Sequence, residues 1–110
     1  MAAEELVSRS CQSCEAGTPA LKGDELRRLY SQLDGWTLVN EHHLEKEYRF
    51  KDFVEALAFV NRLGEVAEKE GHHPDVFLSW GKVKVTLWTH SIGGLSENDL
   101  ILAAKADAVK

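Results

Sequence analysis

Three of the chain's five histidines fall where they can act together. They are the adjacent pair His72-His73, followed at once by Pro74, and His90 further along. Imidazole has an ordinary pKa of about 6.5, so a cluster of histidines can divide acid and base roles near neutrality. Two carboxylates are placed to serve such a cluster. Glu68 precedes His72 by one helical turn, and Asp99 follows His90 beyond the Gly93-Gly94 bend. Phe77, Trp80 and Trp88 add flat apolar surface between them. This mixture suits a planar, polar heterocycle that must be stacked and must exchange protons.

Each residue also has a purely structural reading. A histidine at a helix exit complements the negative end of the macrodipole, and Asp99 in a first helical turn complements the positive end. Glu68 alone reads as a solvated helix residue, and His90 as an exposed strand end. A metal site competes as well, because two or three neutral imidazoles and a carboxylate can hold zinc or iron. Successive residues of extended chain point oppositely, so His72 and His73 reach one ion only through irregular backbone before Pro74. The expectation is therefore a site without metal. Cys11 and Cys14 form a lone Cys-x-x-Cys with no second ligand pair and no strand-to-helix context, and read as reduced thiols of an N-terminal arm.

The elements that must position the histidines are legible in the pattern. Asp24 is expected to cap a helix carrying Leu26, Leu29, Tyr30 and Leu33, with Gly35 ending it. Residues 36–40 and 44–51 read as a half-buried hairpin. Asp52 and Glu55 have the spacing of a helix start, and the helix should run to Glu70. Phe53, Leu57, Val60, Gly64 and Ala67 make one apolar stripe, and Ala56, Phe59, Leu63 and Val66 an adjacent one. That face is wide enough to need a second partner. Gly71 suits the left-handed position after the last turn, and Pro74 stops the helix from resuming.

Val76, Leu78 and Trp80 then alternate with Asp75, Phe77 and Ser79, while Val83, Val85 and Leu87 alternate with Lys84, Thr86 and Trp88. With Gly81-Lys82 as a two-residue turn, Trp80 faces Val83 and the count outward sets His73 opposite His90. Trp80 is expected in the core and Trp88 on the histidine face. Ser96 and Asp99 have capping-box-like spacing at the start of a last helix, 97–109. The order is helix, two strands, helix, two strands, helix. The expected fold class is α+β, a four-stranded antiparallel sheet with helices packed on one face.

A length of 110 residues allows one domain, divided here into a flexible arm, 1–21, and a single domain, 22–110. Eighteen acidic against thirteen basic residues leave a net charge of -5, which disfavours nucleic acid or anionic lipid as partner. There is no run of 18 apolar residues and the first five residues are not basic, so neither a membrane span nor a secretory leader is expected and the expected location is cytoplasmic.

The run Glu68-x-x-x-His72-His73-Pro74, with Trp80, His90 and Gly94-Leu95-Ser96-x-x-Asp99, resembles the signature of the pterin-4a-carbinolamine dehydratases. The likeness extends from Leu21 through Ala108, and the Cys11-x-x-Cys14 head is similar to that of many microbial members. The resemblance implies dehydration of 4a-hydroxytetrahydropterin to quinonoid dihydropterin, which recycles the pterin of aromatic amino-acid hydroxylases without a metal or organic cofactor. It implies His72, His73, His90 and Asp99 as catalytic residues and Glu68, Pro74 and Trp88 as substrate-binding residues. It also implies a homodimer or homotetramer. Animal members bind a homeodomain transcription factor, so a non-catalytic dimerisation module is the alternative.

Overall fold

A computed structural model describes residues 4–12 and 18–110. The expected order of elements is present, preceded by one short helix. The elements are α1 (Glu4–Val7), α2 (Gly23–Tyr30), β1 (Thr37–Val39), β2 (His43–Arg49), α3 (Phe53–Glu70), β3 (Asp75–Ser79), β4 (Lys82–Leu87), a 3-10 turn (His90–Ile92) and α4 (Glu97–Val109). The four strands form one antiparallel sheet in the order β1-β2-β4-β3. This is the α+β architecture expected from the alternation of periods.

Strand alternation decides which face of the sheet is covered. Leu44 and Tyr48 of β2 and Val83, Val85 and Leu87 of β4 are buried on one side. Glu45 and Glu47 lie on the other side, where they pair with Lys84 and Lys82 across the β2–β4 ladder. The buried face receives the helices. α3 contributes Ala56, Phe59 and Leu63 of one stripe and Ala67 of the other to the core, and the start of that second stripe stays partly in water, with Phe53 43 % and Leu57 40 % exposed. α4 is buried from Asn98 to Ala104 and packs against α1, α2 and α3. A helix so enclosed shows little amphipathic contrast, as its Leu-Ile-Leu-Ala-Ala run requires.

Three local expectations are corrected. The first residue flanking α2 is Lys22, in extended backbone and without a side-chain cap, so Asp24 sits within the first turn instead of capping it. The helix closes at Tyr30, and Gly35 lies in the bend beyond. In the β3–β4 hairpin the observed register pairs Ser79 with Lys82 and Asp75 with Thr86, so the turn is Trp80-Gly81 and not Gly81-Lys82. His73 is therefore not the cross-strand partner of His90, and Trp80 is 68 % exposed at the turn instead of packed in the core. The cause is a contact distant in sequence. The Phe50 amide donates to Gly81 O at 2.8 Å, and a Cβ on Gly81 would lie 2.8 Å from Phe50 O, so only glycine admits this docking. Because the new register differs from the expected one by two positions, every side chain keeps its face.

Of the segment read as an arm, residues 4–12 are fastened to the domain. Leu6 is fully buried, the Lys105 ammonium donates to Val7 O at 2.7 Å, and Arg9 pairs with Glu97. Cys14 lies outside the described residues.

Candidate active site

The C-terminus of α3 sets the first histidines. Asp52 opens the helix by accepting from the Glu55 amide at 2.9 Å, and Gly71 closes it at φ +67, a left-handed conformation that residues with a Cβ rarely adopt. The His72 amide is still held by Ala67 O at 3.3 Å, and Pro74 then forces extended chain. His72 and His73 leave this corner toward different carboxylates.

His72 Nε2 lies 2.5 Å from Asp99 Oδ1. Asp99 is completely buried in the first turn of α4. Its other oxygen, Oδ2, accepts from Thr89 Oγ1 at 2.7 Å and from the Ser96 amide at 2.9 Å, the second forming half of a capping box. Since Thr89 gives its proton to the carboxylate, the 2.7 Å contact between Thr89 and Ser96 hydroxyls runs from Ser96 to Thr89. A carboxylate oxygen only accepts. Nε2 of His72 therefore carries a proton, so that in the neutral ring Nδ1 is the nitrogen with the free lone pair. His72 has 12 % of its side chain exposed, so the ring is a largely dry group.

His73 Nε2 meets Glu68 Oε2 at 2.5 Å, but this pair is open to water, with side-chain exposures of 59 % and 79 %. Solvent screening makes it a device of orientation more than of stability. His90 begins the 3-10 turn, which Gly93 closes at φ +65 and which the Thr89–Gly94 bridge straps from both sides. Its ring stacks on Trp88, with centroids 3.9 Å apart and planes 28° from parallel.

These residues border a cavity of about 400 Å³ lined by His72, His73, Pro74, Trp88 and His90, among others. Its size is that of a small-ligand site. Asp99 stands behind His72 without reaching the cavity wall, and Glu68 stands outside it, beside His73. A larger depression of about 840 Å³ lies against Arg9, Pro19, Leu21 and Ile101 and contains no histidine, so it offers no comparable proton chemistry. Among the described residues no three His, Cys, Asp or Glu side chains converge as a metal-ligand set.

Two neighbours of the site escaped the sequence reading. Asn40 and Glu41, at φ 52 and 54, make the tight turn that delivers His42 to Trp88, at a centroid distance of 4.6 Å. Pairing of Leu44 with Leu87 would have revealed this, since it runs residues 42–43 alongside 88–89. Gln12 also lines the cavity. Its place depends on a contact with α4 that no local pattern announces.

The chain is similar to known proteins in sequence and in fold. The family model for pterin 4 alpha carbinolamine dehydratase matches residues 19–109. A relative in Alkaliphilus metalliredigens is 56 % identical over 103 residues, spanning 93 % of each chain. One in Rubrobacter xylanophilus is 52 % identical over 103 residues, spanning 94 % of this chain and 96 % of that one. Both carry the name pterin-4-alpha-carbinolamine dehydratase provisionally. A crystal structure from Brucella melitensis, described as a transcriptional coactivator/pterin dehydratase, is 37 % identical with a TM-score of 0.76, covering 81 % of this chain and 96 % of that one. A pterin dehydratase-like protein identified as a RuBisCO assembly factor in the alpha-carboxysome is 26 % identical with a TM-score of 0.60, covering 69 % of this chain and 89 % of that one. The chain belongs to the pterin 4 alpha carbinolamine dehydratase family.

Proposed function

We propose that the chain dehydrates 4a-hydroxytetrahydropterin to quinonoid dihydropterin by histidine acid and base catalysis. The observation that carries this reading is the His72–Asp99 pair, which leaves a basic Nδ1 on a residue lining the same cavity as His90. Loss of water requires a proton from the ring nitrogen N5 and a proton to the hydroxyl on C4a. His72 takes the first as base, and His90 gives the second as acid. The N5 electron pair forms the carbon-nitrogen double bond as the C4a–O bond breaks and water departs. One proton is taken and one given, so the two imidazoles exchange protonation states and reset through solvent.

The remaining residues hold the ring. His73, steadied by Glu68, positions it, and Pro74 and Trp88 supply contact surface. The reaction draws on no metal or organic cofactor. Its service is the recycling of the pterin used by aromatic amino-acid hydroxylases, in the cytoplasm, with residues 22–110 as the catalytic domain. Self-association into dimers or tetramers accounts for the exposed apolar side chains Phe53, Val54 and Leu57 on α3 and Val76, Phe77 and Trp80 along the edge strand β3 and its turn.

The test is to feed the protein freshly generated carbinolamine and follow quinonoid formation by absorbance. Acceleration over the spontaneous reaction that survives exhaustive chelation supports the reading, and absence of acceleration refutes it. A non-catalytic interaction module is the second reading, motivated by the coactivator and assembly-factor descriptions of the two solved relatives. Such a module would tolerate loss of all three histidines.

A further inference from the structure

Thr89 stands between Trp88 and His90 and is 5 % exposed. Gly94 holds its backbone twice: Thr89 N donates to Gly94 O at 2.7 Å, and Gly94 N donates to Thr89 O at 3.4 Å. The strap fixes where the hydroxyl sits. Oγ1 lies 2.7 Å from Ser96 Oγ and 2.7 Å from Asp99 Oδ2, and Ser96 and Asp99 are buried with it. A hydroxyl has one proton to give, and a carboxylate oxygen can only accept. The protons therefore run one way, from Ser96 through Thr89 into Oδ2, and each bond of such a chain polarises the next. Oδ2 is also filled by the Ser96 amide at 2.9 Å, which leaves Oδ1 as the oxygen turned to His72 Nε2 at 2.5 Å.

We infer that the Thr89 hydroxyl is a positioning group for the base. It holds the Asp99 carboxylate in the rotation at which Oδ1 receives the Nε2 proton, and so keeps Nδ1 of His72 free. One residue thereby sets both histidines, His90 through the strapped backbone and His72 through Asp99. The catalytic consequence rests on the dehydratase reading, whereas the tautomer does not.

Thr89→Val replaces the hydroxyl by a methyl of similar size, and Thr89→Ser keeps the hydroxyl without the methyl. Both are compared with wild type in steady-state dehydration of freshly generated carbinolamine, and by nitrogen NMR of the neutral His72 ring without substrate. Loss of one hydrogen bond to a charged group predicts that Thr89→Val lowers kcat about ten- to hundredfold with KM within about threefold. Thr89→Ser should keep kcat within about threefold of wild type. The His72 ring of Thr89→Val should exchange between tautomers, where wild type and Thr89→Ser show the Nε2–H form alone. Wild-type kcat in Thr89→Val overturns the inference, as does a single Nε2–H tautomer in that variant or a Thr89→Ser enzyme equally slow. Where Thr89→Val does not fold, the wild-type spectrum decides. A slowly exchanging Thr89 hydroxyl proton beside a single His72 tautomer then supports the inference, and a freely exchanging hydroxyl or mixed tautomers overturn it. Wild-type protein that does not accelerate dehydration refutes the dehydratase reading, while the NMR arm still decides the role of Thr89.

Discussion

His72 Nε2 and Asp99 Oδ1 lie 2.5 Å apart across 27 residues of chain. One belongs to the exit of α3 and the other to the entry of α4, so the contact is a helix-end to helix-end clamp as well as the pair that fixes the His72 tautomer. The buried carboxylate satisfies three donors at once: the His72 ring, the Thr89 hydroxyl and the Ser96 amide. An isosteric amide cannot accept from all three. In Asp99→Asn either a donor meets a donor at Oδ2, or His72 must move its proton to Nδ1 and forfeit its base. The expected result is a fall in kcat of about 10²- to 10⁴-fold and a stability loss of roughly 1–3 kcal/mol, measured by stopped-flow turnover and urea denaturation.

His42 makes a prediction of a different kind. It contacts Trp88, which in turn stacks on His90, and the proposed proton transfers do not use it. His42→Ala removes an aromatic contact of about 0.5–1.5 kcal/mol. Steady-state kinetics should show KM raised roughly two- to tenfold with kcat nearly unchanged. A collapse of kcat would place His42 in the chemistry instead.

Away from the histidine cavity, Asp107 ties α4 to the sheet by accepting from Tyr48 Oη at 2.5 Å, Lys46 Nζ at 2.8 Å and Trp36 Nε1 at 3.1 Å. Burial first, then the hydrogen bond to Asp107 and its negative charge, hold the Tyr48 phenol well above its ordinary pKa of 10.0. A raised folded-state pKa favours the protonated form in the native protein. This contribution is fully present below pH 10 and is lost above it, as the unfolded chain ionises while the native phenol does not. Stability should therefore decline above about pH 10, by up to about 1.4 kcal/mol per pH unit from this group. The wild-type minus Tyr48→Phe difference in urea stability isolates that slope, and a difference that is flat from about pH 9 to about pH 11 would contradict it.

The proposed self-association is tested by a surface change. Val54 is 74 % exposed in the first turn of α3, beside Phe53 and Leu57. Val54→Glu should leave the melting temperature of the fold within a few degrees, since exposed substitutions cost at most about 0.5 kcal/mol. It should also lower the mass measured by light scattering toward that of a single chain. An unchanged oligomeric mass would remove this face of α3 from the interface.

The parts of this structure that were legible in the sequence are those governed by neighbours along the chain. Asp52, Gly71 and Pro74 bracket α3, and Ser96 with Asp99 opens α4, because caps and breakers act within one helical turn. Alternation in β2 and β4 determined which side chains face the core. The hairpin turn was not legible, since Trp80-Gly81 and Gly81-Lys82 preserve the same alternation and differ only in how Gly81 docks on Phe50. The same limit hid His42 and Gln12. Their places follow from the β2–β4 pairing and from the bond of the Gln12 amide to Asn98 Oδ1, both of which join residues remote from one another in the chain.

The central claim is that His72 and His90 move the protons of the dehydration. Its most direct test is single-turnover dehydration of freshly generated carbinolamine by His72→Ala and His90→Ala, each compared with wild type at matched folding. The account predicts that each substitution slows the step about 10²- to 10⁴-fold, the range expected for a lost general acid or base. Wild-type rates in both variants would contradict it.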